Sequence, residues 1–204
     1  IINGTSGNDT LISHLGNDTI NGGSGLDTVV YADSRSAHSI TKNAADYVVN
    51  GGIYGNDTLT GIERLQFVDM GLALDVGIHE SAGETALLMG AVLGKASLNN
   101  KAVIGTLLQF FDAGNTMQNA AEVLVNGGIM DQLAGGSSIN SYVNLIYRNV
   151  VGQEATPDTT SALASFITNG TLTKASFLAV IAELPLNQDN INLVGLAQSG
   201  LEYM

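Results

Sequence analysis

Aspartate recurs at nine-residue intervals at the start of the chain, at Asp9, Asp18 and Asp27. A glycine lies two residues before each aspartate, a threonine follows it, and an aliphatic residue stands two positions after it. Residues 4–30 are therefore three nonapeptides in one register. A single Gly-Asn-Asp-Thr segment is ordinary turn chemistry, because Gly, Asn and Asp dominate turns. Three copies in register favour a repeated site that uses the carboxylates.

Carboxylates repeated in this way need a cation when the repeats stack. If each nonapeptide forms a Gly-rich half-turn and a short strand, two nonapeptides make one coil, and turns eighteen residues apart lie above one another. Asp27 then faces Asp9, and two carboxylates at close range repel unless a cation lies between them. Calcium suits this position because it takes about six to eight oxygen ligands in flexible geometry. The glycines allow backbone carbonyls to turn inward.

The repeat resembles the RTX, or hemolysin-type, family of calcium-binding proteins, whose motif is G-G-x-G-x-D-x-U-x. The resemblance implies a parallel β-roll that binds calcium outside the cell. It also implies the ligands of the one site for which both halves are present, namely backbone carbonyls and carboxylates of two stacked turns. These are Thr5, Gly7 and Asp9 from the lower turn and Gly22, Ser24 and Asp27 from the upper turn.

Further candidate ligands lie on the opposite edge of the predicted roll. Asp18, with the carbonyls of His14 and Gly16, offers the lower half of a site. The residue eighteen positions after Asp18 is Ser36, so no facing aspartate is present there. Asp33 is the candidate that replaces the missing carboxylate.

A later segment, residues 52–59, fits the same repeat in isolation. Its Asp57 is a further candidate calcium ligand, with an ordinary turn residue as the alternative.

The apolar core of the predicted roll is too small to fold it alone. Burial of Leu11, Ile20 and Val29 contributes about 1.5–3 kcal/mol each, whereas ordering each backbone residue costs about 1–2 kcal/mol. Folding and calcium binding are therefore expected to be one coupled event.

Composition limits the function classes. The chain has 204 residues, with 19 acids against 7 bases and no cysteine. The acidic balance argues against nucleic acid or an anionic membrane surface as partner, and the absence of cysteine excludes disulfides, thiol nucleophiles and Cys-based zinc sites. No apolar run is long enough to span a membrane.

No motif of a hydrolase, P-loop or zinc protease is present, since His79-Glu80 lacks a second histidine at the required spacing. The chain itself is therefore not expected to be an enzyme.

The pattern predicts an α+β fold in which residues 1–75 form the roll. Leu65 and Phe67 alternate with Arg64 and Gln66, which predicts a half-buried strand with the polar residues outward. Past Asp75 the hydrophobic period changes from 2 to 3.6, which predicts an all-helical half.

The helical half repeats itself. Residues 87–94 match residues 145–152 at an offset of 58, so two copies of one helical unit are expected, at 76–134 and 135–204. They resemble the helical domain of unknown function that often follows RTX repeats in type I secreted bacterial proteins. The core of that domain appears here as residues 146–153, with Gln153 in place of its usual arginine.

The expected function is calcium-driven folding of a secreted, cell-surface or extracellular bacterial protein. Because the chain opens inside a repeat, it reads as the C-terminal region of a larger protein. The tail, residues 200–204, is either the signal read by type I secretion machinery or the end of a plain amphipathic helix starting near Asn190. The helical half is expected to serve assembly or surface attachment, as in an S-layer protein or adhesin, with self-assembly or a surface polysaccharide as partner. The alternative is the carrier region of a secreted protease, lipase or glycosidase.

Overall fold

The computed structural model describes residues 1–44 and 46–204, which form a mixed α/β protein with two five-stranded sheets. The strands are β1 (Ile2–Asn3), β2 (Thr10–Ile12), β3 (Thr19–Asn21), β4 (Thr28–Val30), β5 (His38–Asn43), β6 (Asp46–Gly51), β7 (Gly55–Thr60), β8 (Arg64–Gln66), β9 (Gly71–Ala73) and β10 (Leu201–Tyr203).

The repeats alternate between the two sheets, whose strand orders are β1-β3-β7-β6-β5 and β10-β9-β8-β4-β2. Strands eighteen residues apart pair in parallel, with Ile2 opposite Ile20 in one sheet and Leu11 opposite Val29 in the other. Strands β7 and β8 continue the two stacks in parallel beyond β3 and β4. Turns eighteen residues apart therefore stack, as the repeat spacing predicts.

An antiparallel hairpin interrupts this period. Strands β5 and β6 pair with each other, and β6 pairs antiparallel with β7. As a result, Ile20 lies opposite Leu59, at a separation of 39 residues, while Val29 lies opposite Leu65, at a separation of 36. The stack of β2, β4 and β8 therefore keeps a multiple of the eighteen-residue period, whereas the stack of β1, β3 and β7 does not.

The inward-facing side chains of the repeats form the core between the sheets. Ile20, Val29, Leu59 and Leu65 are each at most 1% exposed. Arg64 was expected to face solvent, and this expectation is wrong, because its residue is only 4% exposed. The guanidinium pairs with two carboxylates, Asp75 at the end of the repeat half and Asp112 in the helical half.

Nine helices follow among the described residues. They are α1 (Ser81–Leu93), α2 (Lys101–Asp112), α3 (Met117–Asn126), α4 (Ile129–Leu133), α5 (Ile139–Val151), α6 (Pro157–Thr168), α7 (Lys174–Glu183), α8 (Pro185–Asn190) and α9 (Leu193–Ser199). The predicted apolar stripes face the helical core, since Ile104 and Leu108 of α2 and Tyr142 and Val143 of α5 are buried.

The expectation that this half is all-helical is wrong at its end. After α9 the chain turns at Gly200, whose φ is +79°, and β10 pairs antiparallel with β9. The ring of Tyr203 lies against Gly71, where an added Cβ would be 2.2 Å from a ring carbon. Leu201 is 2% exposed. A glycine on β9 thus leaves room for the tail to add a strand to the repeat sheet.

Candidate metal centre

The two complete turns of the repeat stack carboxylate over carboxylate. The backbone N–H of Asp9 donates to Oδ1 of Asp27 at 2.8 Å, and the N–H of Thr28 donates to the carbonyl of Asp9 at 2.9 Å. Oδ2 of Asp9 accepts from the N–H of Thr5 at 2.6 Å and from its hydroxyl at 2.9 Å. The lower turn is therefore closed around its aspartate, and the upper aspartate lies directly above it.

Asp27 has one carboxylate oxygen left over. The residue is 0% exposed, and its Oδ2 is buried with no hydrogen-bond partner among the residues that the structure describes. Leaving a buried charged oxygen unpaired costs several kcal/mol, on the order of the values for buried charges. A calcium ion beside Oδ2 removes this cost, so the residues present fit the cation that the repeat pattern predicts.

Backbone carbonyls also border the carboxylate of the lower turn, in a space that glycine leaves open. A Cβ on Gly4 would lie 2.2 Å from the carbonyl oxygen of Gly22 and 2.8 Å from Oδ2 of Asp9. A Cβ on Gly25 would lie 2.7 Å from the carbonyl oxygen of Gly7. The carbonyl of Thr5 accepts from the N–H of Ser24 across the stack at 3.4 Å. The structure thus brings the turns that carry the six predicted ligands together.

Residues 1–29 match the family model of the RTX calcium-binding nonapeptide repeat, in four copies. The chain carries RTX calcium-binding repeats. A comparison with curated proteins found no match for this chain. The RTX match rests on the same turns that stack here, and the cofactor of these repeats is calcium.

On the opposite edge of the RTX segment, Asp18 faces Asp57. The N–H of Asp18 donates to Oδ1 of Asp57 at 2.9 Å. Oδ2 of Asp57 accepts from the hydroxyl of Ser13 at 2.7 Å and from that of Tyr31 at 2.9 Å. Burial, together with the nearby charge of Asp57, raises the pKa of Tyr31 well above its usual range. Oδ2 of Asp57 therefore has two hydroxyl donors, whereas the equivalent Oδ2 of Asp27 has none.

Asp18 itself keeps a free oxygen, because its Oδ2 is buried without a hydrogen-bond partner among the described residues. Gly16, a predicted carbonyl ligand, has a φ of +97° and lies beneath Gly55, where an added Cβ would be 3.1 Å from its carbonyl oxygen. His14 lies in the same turn with its side chain exposed. Asp18, His14 and Gly16 therefore lie in one turn of the stack, and Asp18 faces Asp57.

Asp33 does not complete that half-site, and this prediction is wrong. Its Oδ1 lies 2.5 Å from Nε2 of His38. The residue stands at the entrance of the hairpin that breaks the repeat period, so it is turned toward the hairpin and not toward Asp18. Asp57 takes the facing position because β7 resumes the stack after the hairpin.

Sequence reasoning missed Glu63 in the RTX stack. The N–H of Asp27 donates to Oε2 of Glu63 at 2.8 Å, as the N–H of Asp9 donates to Asp27. Burial, with the negative charge of Asp27, raises the pKa of Glu63, although the hydrogen bond from Asp27 and the charge of Arg64 oppose the shift. The sequence does contain a signal for this position. Gly61 lies two residues before Glu63 and Leu65 lies two residues after it, which is the spacing of the glycine and the aliphatic residue around each repeat aspartate.

Arg64 joins the end of the RTX stack to the helices. Its guanidinium contacts Asp75 and lies 2.6 Å from Oδ1 of Asp112 in α2. One guanidinium therefore serves two carboxylates. Burial raises the pKa of Asp75 to about 6, the nearby Asp112 adds to the shift, and Arg64 opposes it.

A separate titratable cluster lies in the helical half. Ligand atoms of His79, Glu84 and Glu183 lie within 4.8 Å of one another. Burial, together with the charge of Glu183, raises the pKa of Glu84, while His79 opposes the shift. His79 is exposed, as expected for a surface residue.

Proposed function

We propose that this chain is a calcium-dependent folding unit of a secreted bacterial protein, with no catalytic role of its own. One observation carries the proposal: the buried Oδ2 of Asp27 has no hydrogen-bond donor among the described residues, and it lies beside Gly22, where the carbonyl oxygen of Gly61 borders the same space. The resident ion is calcium, held by the carboxylates of Asp9 and Asp27 and by the carbonyls of Thr5, Gly7, Gly22 and Ser24. The resulting element is the short parallel β-roll.

The affinity expected for such a site would restrict folding to the calcium concentrations found outside the cell. Extracellular calcium modules bind with Kd values of about 10⁻⁴ to 10⁻³ M. At lower calcium concentrations the column of carboxylates repels itself, and the core cannot offset the entropy of ordering the turns. The chain would therefore travel through an exporter unfolded and close when it meets calcium.

The tail fits this order of events. We propose that type I secretion machinery reads the C-terminus before the chain folds. Once β9 is in place, Leu201 becomes buried and Tyr203 covers Gly71, so the tail is then part of the folded sheet. The structure describes no helix long and apolar enough to cross a membrane.

The helical half is proposed to be a tandem of one three-helix unit, within 76–134 and 135–204. Helices α1, α2 and α3 have 13, 12 and 10 residues, and so do α5, α6 and α7. A capping box begins α3 at Thr116 and α7 at Thr173. Equal lengths and caps support duplication.

Assembly or surface attachment through the helices, as in an S-layer protein or adhesin, is supported by the apolar surface of the second unit. Phe166, Val180, Leu186 and Val194 are each at least 45% exposed. Contiguous apolar patches are typical of contact surfaces, so the proposal requires these side chains to act as one patch. Self-assembly or a surface polysaccharide would be the partner.

The proposal is tested by circular dichroism in chelator, with calcium or magnesium then added back. We expect calcium to restore the strand signal and magnesium to fail, because magnesium demands tight octahedral geometry and keeps its waters. Asp27→Asn serves as the control that should respond weakly to both ions. Equal restoration by magnesium, or strand signal that persists in chelator, would contradict the proposal.

A further inference from the structure

The stacking does not stop at the last repeat. Asp27 accepts from the N–H of Asp9 at 2.8 Å, and Glu63 accepts from the N–H of Asp27 at 2.8 Å. The carbonyl of Asp9 accepts from the residue after Asp27 at 2.9 Å, and the carbonyl of Asp27 accepts from the residue after Glu63 at 3.0 Å. Strand pairing gives the same register, with Thr28 opposite Arg64. Glu63 therefore stands to Asp27 as Asp27 stands to Asp9.

The glycines repeat in the same way. A Cβ on Gly4 would meet the carbonyl oxygen of Gly22 at 2.2 Å and Oδ2 of Asp9 at 2.8 Å. A Cβ on Gly22 would meet the carbonyl oxygen of Gly61 at 2.0 Å and Oδ2 of Asp27 at 2.4 Å. The small space beside Gly22 is thus bordered by a carbonyl and a carboxylate oxygen, as is the space beside Gly4.

The oxygen in this upper space is the unpartnered one. Oδ2 of Asp27 is buried and accepts no hydrogen bond from the described residues. Neither Asp27 nor Glu63 has a Lys or Arg nitrogen within 4.0 Å in the part of the chain that the structure describes, because the guanidinium of Arg64 turns to Asp75 and Asp112. Neither of these two neighbouring acids therefore forms an ion pair with a lysine or arginine among the described residues.

We propose that a second calcium ion binds between the last repeat turn and the non-repeat turn 61–63, with Glu63 as its upper carboxylate ligand. The inference rests on the proposed calcium function and extends it beyond the repeat motif. Asp27 supplies the lower carboxylate. The register of the first site assigns the carbonyls of Gly23 and Gly25 below and of Gly61 above.

The longer side chain of glutamate suits this turn. The segment from Gly61 to Glu63 is three residues shorter than the segment from Gly22 to Asp27, so it lacks one carbonyl of a full repeat, and its acid has one more methylene with which to reach the column. Gly25, Gly61 and Glu63 also line a cavity of about 360 Å³. This cavity gives the ion an entry path and room for water in place of the missing carbonyl, which calcium accepts readily.

The test counts calcium ions on the full chain. Wild type, Glu63→Gln and Glu80→Gln are equilibrated with saturating CaCl₂, and bound calcium per chain is measured by equilibrium dialysis. Glu63→Gln keeps an oxygen that accepts from the N–H of Asp27 and removes only the charge. Glu80 is the matched control, since it lines the same cavity and accepts from the N–H of Gly77 at 2.7 Å.

We expect Glu63→Gln to bind one ion fewer than wild type. Its calcium midpoint of folding should rise about tenfold or more, because removing even an outer-shell partner of a metal ligand typically costs about 10–100-fold in metal affinity. Glu80→Gln should match wild type. Unchanged ion count and midpoint in Glu63→Gln would overturn the inference while leaving the calcium function intact, whereas a wild type that binds no calcium would overturn both. If Glu63→Gln does not fold, the wild-type count decides, because a single ion per chain contradicts a second site.

Discussion

The substitution Asp27→Asn tests whether Asp27 binds two calcium ions, as proposed, or only one. The amide keeps an oxygen for the N–H of Asp9, which is bound at 2.8 Å, and it replaces the buried, unpartnered Oδ2 by an NH₂ group. Shape and the stacking hydrogen bond are preserved. The negative charge that both proposed ions would share is lost, together with the free oxygen beside Gly22 and Gly61.

The expected loss follows from the number of ions that each acid touches. In calcium at ten times the Kd, each bound ion stabilises the folded chain by about 1.4 kcal/mol. Asp9→Asn removes a ligand from one site and should lower the free energy of unfolding by up to that amount. Asp27→Asn removes a ligand from two sites and should lower it by up to about 3 kcal/mol. This is a large share of the roughly 5–15 kcal/mol that stabilises a typical domain.

The assay is urea unfolding in saturating calcium and in chelator, followed by tyrosine fluorescence. Residues 1–75 contain Tyr31, Tyr47 and Tyr54, and the chain has no tryptophan. Asp46→Asn is the control, because Asp46 lies in the same half but accepts from the hydroxyl of Thr60 at 2.7 Å, outside the column. A loss for Asp9→Asn equal to or larger than that for Asp27→Asn would refute the shared-ligand reasoning, as would losses no larger than that of the control.

Three further changes test the surroundings of the column. Gly22→Ala should abolish calcium-dependent strand signal in circular dichroism, because its Cβ would lie 2.0 Å from the Gly61 carbonyl; Gly7→Ala, with its nearest atom at 3.9 Å, should keep the signal, and equal spectra would contradict the stacking. Arg64→Met should lower the free energy of unfolding by about 3–5 kcal/mol, since it leaves buried carboxylates unpaired, and a loss below about 1 kcal/mol in urea unfolding would argue against a buried ion pair. The raised pKa of Asp75, about 6 against a usual 3.8, means that its contribution to stability is fully present below the usual value and is lost as pH rises through 6. It amounts to about 3 kcal/mol, lost mainly between about pH 3.8 and 6, and Asp75→Asn should remove this fall in calcium-saturated unfolding curves.

The elements that the sequence predicts well are those encoded by a local period. The nine-residue spacing of Asp9, Asp18 and Asp27 sets which turns stack, and the parallel pairing of strands eighteen residues apart follows from it. The helical stripes of α2 and α5 are likewise visible in 3.6-residue spacing. In both cases the information lies within about twenty residues of chain.

The features that sequence reasoning missed depend on residues far apart. Asp18 meets Asp57 across 39 residues because a hairpin intervenes, and no period reveals the length of an insertion. Arg64 is buried because Asp112 lies 48 residues further on. The tail becomes a strand because β9 presents an edge about 130 residues earlier, so a local pattern read it as a helix or a signal.

The two edges of the RTX segment meet the same electrostatic problem in different ways. On one edge the hydroxyls of Ser13 and Tyr31 donate hydrogen bonds to Oδ2 of Asp57. This oxygen therefore needs no cation. On the other edge Asp27 and Glu63 have no such donors on the column side. Asp18 on the first edge also keeps a buried Oδ2 without a partner among the described residues, so a cation there would bind beside a single free acid, whereas the other edge offers the pair Asp27 and Glu63.

At that edge the RTX segment also contacts the helices. Arg64 directly follows Glu63 in the chain, its backbone N–H is fixed by the carbonyl of Asp27 at 3.0 Å, and its guanidinium reaches Asp112 in α2 at 2.6 Å. An ion that holds Glu63 in the stack would also fix the backbone from which Arg64 extends. Calcium binding in the repeats would then stabilise the contact with the helical half through one residue, without any ligand from the helices themselves.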